Sequence, residues 1–389
     1  MIKKLFAIVL CFLLLTGCFD RKELNKIGIV LAVALDKDIV TNEIIISCEV
    51  VKPYQLGKDG GGGSGSGSSS SPIEIVTAKG RTAFDAVRNV SKKLDRKVYF
   101  AHNKVIIISE KLAEEGVTPV LDVFIRDPEI RPLVWVLIAK NTEASAILSI
   151  NHGLDQIQAF YLNEMIKTKW ATSEMQIFNI LDFYKKLLKS GSNPTTGAVG
   201  IVKENNSPEI ILLGTAVFSQ DKLIGYLNYK ESRGLNWITN EVKGSIINVP
   251  GITKKDNFIA IEIIRTKSKI IPKVEDGKIS FIIEVNELAN IGEVQDLTDI
   301  SDLKIISKLE NEEKKVIEEE INKVINKAKY EFKTDIFGFG YSLSRYYPKE
   351  WDKVEKSWNK LFIGIQYEVN INLKLRRSGQ IQKPFKPQS

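Results

Sequence analysis

Cysteine and histidine are scarce in this chain, with three Cys and two His among 389 residues. Cys11 and Cys18 lie at the extreme N-terminus. Once a leader is cut away and Cys18 is modified only Cys48 remains, which rules out an intramolecular disulfide. His102 and His152 are too few for a metal cluster. Pairing them with Cys48 as nucleophile and base would need hydrogen-bond reach and a third group to orient the base, and nothing in the spacing promotes that. The plainer reading is a small buried thiol on a strand and two surface histidines. HExxH, GxSxG and P-loop patterns are absent. No catalytic residue, metal site or cofactor is expected. After Leu15 no apolar run approaches the 18 residues of a spanning helix. The net charge of +7 is spread thinly, with Lys185-Lys186 and Arg376-Arg377 among its short clusters. A nucleic-acid face would gather its basic residues with aromatics among them, so nucleic acid is not an expected partner. Mild attraction to an anionic membrane fits better.

What is present begins at the N-terminus. Met1-Ile2-Lys3-Lys4 is basic, Leu5 to Leu15 is an unbroken apolar run of 11 residues, and small residues precede Cys18. That order marks a secretory leader, and the run falls short of the ~20 residues that cross a bilayer. Leu15-Thr16-Gly17-Cys18 resembles the lipobox of bacterial lipoproteins. The resemblance implies cleavage before Cys18 and diacylglycerol on its thiol, a lipid that holds a folded domain on a membrane. Hydrophobic content of 43% and charged content of 26% describe an ordinary globular protein beyond the leader.

Two breaks punctuate the chain. Gly57 to Pro72 (GKDGGGGSGSGSSSSP) has nothing to bury and reads as a flexible loop. Its GxGxxG spacing at Gly60, Gly62 and Gly65 is an accident of composition, because no helix opens after it. Ser190-Gly191-Ser192-Asn193-Pro194 reads as a domain boundary. The expected organisation is a leader at 1–17, an N-terminal α/β region at 18–195 with the loop at 57–72, and an α+β domain at 205–379. The first region carries strands at Ile27–Leu35, Glu43–Val51, Val105–Ser109 and Leu133–Ala139, with Ile73–Thr77 continuing the sheet. Helices are predicted at Arg81–Leu94, Glu110–Glu115, Asp155–Ile166 and Ser173–Leu188. In the second, Phe258–Ile264 is a strand and Lys273–Val285 a hairpin turning at Asp276-Gly277. Asp302–Phe332 is a long charged helix with Val316, Ile317, Ile321, Val324, Ile325 and Ala328 as its buried stripe. The final alternation from Ile363 to Leu375 predicts a half-buried strand, antiparallel to its neighbours in an antiparallel sheet.

The acidic run Glu310 to Glu320 lacks the Asp/Asn alternation and glycine turn of a calcium loop and reads as the solvated face of that helix. Asp335-Ile336-Phe337-Gly338-Phe339-Gly340 reads as a helix C-terminal turn with its phenylalanines packed inward.

Taken in order, a set of short motifs resembles one family. Gly17-Cys18-Phe19-Asp20-Arg21-Lys22-Glu23-Leu24-Asn25 is similar to the opening of the Ger(x)C lipoproteins, the C subunits of bacterial spore germinant receptors, although the family often has Trp where this chain has Phe19. His102–Ile107, Arg126–Pro132, Gly214–Phe218, Glu231–Trp237, Asp335–Gly340 and Tyr347–Trp351 follow in sequence. The resemblance implies a non-enzymatic, lipid-anchored receptor subunit with a mixed α/β fold. It would sit on the outer face of the spore inner membrane and act with the membrane-embedded A and B subunits. A solute-binding lipoprotein of a transporter is the alternative, and would need two similar lobes around a cleft.

Overall fold

The computed structural model describes residues 26–51, 73–150, 157–168, 171–204, 207–295 and 298–376. Cys18, His152 and the Gly57–Pro72 loop lie outside these residues. The architecture is mixed, as the sequence predicts: a large sheet with helices on both faces, then a smaller sheet with helices on one.

The first sheet has nine strands. β1 (Ile27–Lys37), β2 (Ile44–Val51) and β3 (Ile73–Gly80) are antiparallel neighbours. β4 (Lys97–Tyr99) and β5 (Val105–Ser109) both run parallel to β1, with β6 (Trp135–Ala139) and β7 (Thr195–Glu204) parallel beyond. β8 (Ser207–Ser219) and β9 (Lys222–Leu227) close the far edge antiparallel. Helices α1 (Ala83–Ser91), α2 (Glu110–Glu115), α3 (Thr118–Arg126) and α6 (Ile180–Leu187) cover one face. α4 (Ala144–Leu148) and α5 (Gln158–Thr168) cover the other. Burial on both faces explains why β5 (VIIIS) is apolar without alternation and buried throughout. Two carboxylates from the sheet satisfy helix starts on the second face. Asp36 accepts from the N–H groups of Ala144 and Ser145 at 2.7 and 2.9 Å, and Glu49 from those of Gln158 and Ala159 at 2.7 and 2.9 Å.

The second sheet follows α7 (Tyr229–Thr239). β10 (Ile246–Pro250), β11 (Phe258–Glu275) and β12 (Lys278–Val294) are antiparallel. The β11–β12 hairpin turns at Asp276 and Gly277, with φ of 50° and 75°, the left-handed pair of a type I′ turn. α8 (Leu303–Asn326) begins at its Asp302 cap and ends in a wider turn over Lys327–Phe332. Short helices α9 (Phe339–Tyr346), α10 (Pro348–Val354) and α11 (Trp358–Gly364) lead into β13 (Gln366–Arg376).

Several expectations need correction. β13 alternates as predicted, but it pairs parallel to β12. The intervening helices carry the chain back along one face of the sheet, as parallel pairing requires. Ile363 lies in α11 and Ile365 just past it, outside the strand. The helix predicted from Ser173 starts only at Ile180, where the Asn179 side chain accepts from the Asp182 N–H. Met175 and Ile177 are buried on an irregular segment before it, and Leu188 is exposed. α3 was not predicted; Pro119 sits in its first turn, where a missing N–H costs nothing. Strands on either side of Ser190–Pro194 belong to the same sheet. The acidic face of α8 is only partly solvated: Glu313 and Glu320 are buried.

Candidate functional site: the junction of the two sheets

Three of the motif segments converge where the sheets meet. α7 carries the first. Asn228 and Glu231 form a capping box at its start, and every residue from Glu231 to Ile238 is buried. Arg233 makes a two-pronged contact with Glu320 of α8, at 2.9 Å from Nε and 2.5 Å from Nη2. Its Nη1 donates to Ser245 Oγ at 3.1 Å. Trp237 Nε1 donates to the same Glu320 carboxylate at 3.2 Å. Gly234 lets the helices approach: a Cβ there would lie 2.3 Å from the Glu320 backbone oxygen. On the opposite side, Asn236 Nδ2 donates to the carbonyls of Ser173 and Met175 at 2.8 and 3.0 Å, and its Oδ1 accepts from Gln176 Nε2. One buried helix thus fastens the irregular segment of the first region to the long helix of the second.

The second contact is built on Asp335. Its carboxylate accepts from the backbone N–H groups of Phe337, Gly338 and Gly340 and from Trp358 Nε1, all between 2.9 and 3.1 Å. Burial pushes the Asp335 carboxyl up, and these donors pull against it. Phe337 and Phe339 turn inward as expected, Phe339 stacking on Phe281 at 4.7 Å, but the segment is not a helix C-terminal turn: it opens α9, with Gly338 as its cap. The Asp335 carbonyl accepts from both nitrogens of Asn193. Gly191, with φ of 72°, lies against Gly340 and Trp351 so closely that a Cβ would meet both at 2.5–2.7 Å. The Ser190–Pro194 break is therefore the strap by which the two sheets dock. Two open clefts of about 520 and 480 Å³ flank it. Lys186 borders the second cleft, its ammonium 3.9 Å from the Phe178 ring centroid; burial pushes it down to about 7.

A buried acid pair lies behind this junction. Glu287 of β12 and Glu313 of α8 face each other, and neither has a donor outside the pair among the described residues. Burial raises both carboxyls, and their mutual repulsion raises Glu313 further, so the pair holds a proton at neutral pH.

The structure does not bring Cys48 and His102 into a catalytic arrangement. Cys48 is wholly buried on β2, and burial pushes its thiol up to about 12, which removes the thiolate a nucleophile needs. His102 is exposed in a turn, edge-on to Tyr99. Among the described residues no group of three or more His, Cys, Asp or Glu could hold a metal, and no helix is long and apolar enough to cross a membrane. The Arg126–Pro132 motif lies away from the junction, on a groove of about 610 Å³ with Arg88, Lys97 and Phe100. Arg233, Glu320, Glu287 and Glu313 were missed as interacting groups. Arg233 sits among Lys230, Glu231, Ser232 and Asn236 in α7, so the local sequence reads as a solvated helix and carries no signal of the buried pair.

Comparison with known proteins agrees with the motifs. Residues 20–201 match the family model described as spore germination protein N-terminal domain. Residues 213–379 match spore germination B3/GerAC like, C-terminal. Spore germination protein KC of Bacillus subtilis is 29% identical over 100% of this chain and 99% of that protein. Spore germination protein B3 of the same organism is 27% identical over 96% and 98%. Spore germination protein GerQC of Bacillus cereus is 24% identical, also over 96% and 98%. The crystal structure of the GerBC protein shares the fold, with a TM-score of 0.55 at 22% identity over 88% of this chain and 96% of that one. With two family models in sequence accounting for most of its length, the chain belongs to the Ger(x)C family of spore germination proteins.

Proposed function

We propose that this chain is the non-catalytic C subunit of a nutrient germinant receptor. A diacylglycerol on Cys18 anchors it to the outer face of the spore inner membrane, where it works in complex with the membrane-embedded A and B subunits. The observation that carries the reading is the end-to-end match to spore germination proteins, both family models falling in order along one chain. Two features of the fold support it. The buried charges of Arg233, Glu320 and Asp335 are committed to packing. Its two sheets differ in topology and coverage, whereas a transporter's solute-binding lipoprotein needs like lobes around a cleft. A protein without its own chemistry acts through contact, and a tether raises the effective concentration of weak contacts on the same membrane.

The test is Cys18→Ala in spores. Germination in response to nutrient is expected to fall sharply, while the purified soluble part keeps its unfolding transition. Detergent extracts of wild-type spore membranes should yield the A and B subunits with this chain. Normal germination of the Cys18→Ala spores would overturn the anchored-subunit reading.

A further inference from the structure

The parallel strands give the first sheet a direction, and its two ends differ in charge. At the end where β1 begins lie Lys26, the α1–β4 turn with Lys92, Lys93 and Arg96, the first residue of β4, Lys97, and Arg131 in the loop before β6. All are exposed except the half-buried Arg96. Glu74, Asp95, Asp127 and Glu129 are the acidic residues among them; Lys97 pairs with Glu129 at 3.4 Å and Arg96 with Asp95 at 3.7 Å. Leu133 stands 68% exposed on the same rim, following Pro132. On the opposite rim Asp38, Glu43, Glu110, Glu114, Glu115 and Glu143 stand with Lys37, Lys79, Arg81, Lys111 and Lys140, and Lys37–Glu115 and Lys79–Asp38 are ion pairs, so no basic excess forms there.

Chain connectivity fixes how this basic rim sits relative to Cys18. Eight residue steps separate Cys18 from Lys26, which span at most about 29 Å fully extended. We propose that the β1-start rim, with its lysines, arginines and exposed Leu133, is a second attachment surface that binds a bilayer containing anionic lipid. The proposal rests on the anchor reading of Cys18 for the distance at which the rim is held. Each Lys or Arg brought to an anionic surface contributes modestly, within a Debye length of about 8 Å. An apolar side chain among them enters the headgroup region, as in interfacial anchors. The tether limits how far the domain strays, and the rim sets which way it faces.

The test uses the full mature chain carrying Cys18→Ser, so that no acyl group contributes. Leu133→Cys is added for attachment of an environment-sensitive dye; Cys48 is wholly buried and does not compete for it. Vesicles of phosphatidylcholine with and without phosphatidylglycerol are the probes. Binding to the anionic vesicles is expected to be at least about tenfold stronger, to weaken with salt, and to bring the dye within reach of a lipid-borne quencher. A dye at Val40→Cys, 93% exposed on the opposite rim, should stay unquenched. Combining Lys92→Glu, Arg96→Glu and Arg131→Glu should lower binding at least about tenfold. Equal binding to both vesicles, equal quenching at 40 and 133, or an unaffected triple variant would overturn the proposal. The mass of residue 18 in the native protein reads the anchor separately, so the two can fail independently.

Discussion

The two sheets bury charge with different partners. In the first, covered on both faces, the buried carboxylates Asp36 and Glu49 each meet two helix N–H groups and nothing is left over. In the second, covered on one face, Asp335 also meets backbone N–H groups, but further buried charge lies between side chains, as Arg233 against Glu320 and Glu287 against Glu313. Backbone caps fix helices to strands 108–110 residues away in sequence. Side-chain ion pairs fix elements distant in sequence, 87 residues apart for Arg233 and Glu320. The contrast lies in the partners: backbone N–H groups for the buried carboxylates of the first sheet, and side chains as well for the buried charge of the second.

The sharpest way to break this contrast is Glu320→Ala. It leaves Arg233 buried without its partner and Trp237 without an acceptor, and a loss of about 3–5 kcal/mol is expected in denaturant unfolding. Asp335→Ala comes next. It orphans three backbone N–H groups and an indole, for an expected cost of roughly 2–3 kcal/mol, and it should loosen the strap at 190–194 to limited proteolysis. The acid pair gives a pH signature. Because the folded state raises both carboxyls, it binds more protons than the unfolded chain. The associated stability is complete below the ordinary glutamate value of 4.5 and is lost as pH climbs above it. The slope reaches about 1.4 kcal/mol per unit for one proton. Glu313→Gln should flatten that slope and leave the protein more stable than the parent at pH 8 in thermal melts. The smallest effect is expected in the first sheet: Asp36→Ala should cost about 1 kcal/mol, the ordinary price of a helix cap. A larger loss there than at Glu320 would invert the contrast.

The sequence made periodic features legible and non-local ones invisible. The turn at Asp276-Gly277 and the extent of α8 are local, and both appear where expected. The direction of β13 was not readable, because alternation has the same period in parallel and antiparallel sheets. The apolar spacing across Met175, Ile177, Phe183 and Tyr184 imitated one helix. Residues 173–176 are instead held by Thr215 and Asn236, side chains from elsewhere in the chain. The acidic run failed for the same reason: nothing near Glu320 announces Arg233. Of the junction, Asp335–Gly340 showed its inward phenylalanines in advance, while its grip on Asn193 depended on a residue 142 positions away.

The strand order β1-β5-β6-β7-β8-β9 has a mechanical consequence. It is an unbroken ladder of backbone hydrogen bonds from the N-terminal strand to β9, which leads directly into α7. Force applied at the first strand is borne laterally across the ladder and arrives at α7 with little give, because no flexible linker intervenes. Moving α7 relative to the first strand therefore means shearing that ladder or opening the β9–α7 junction.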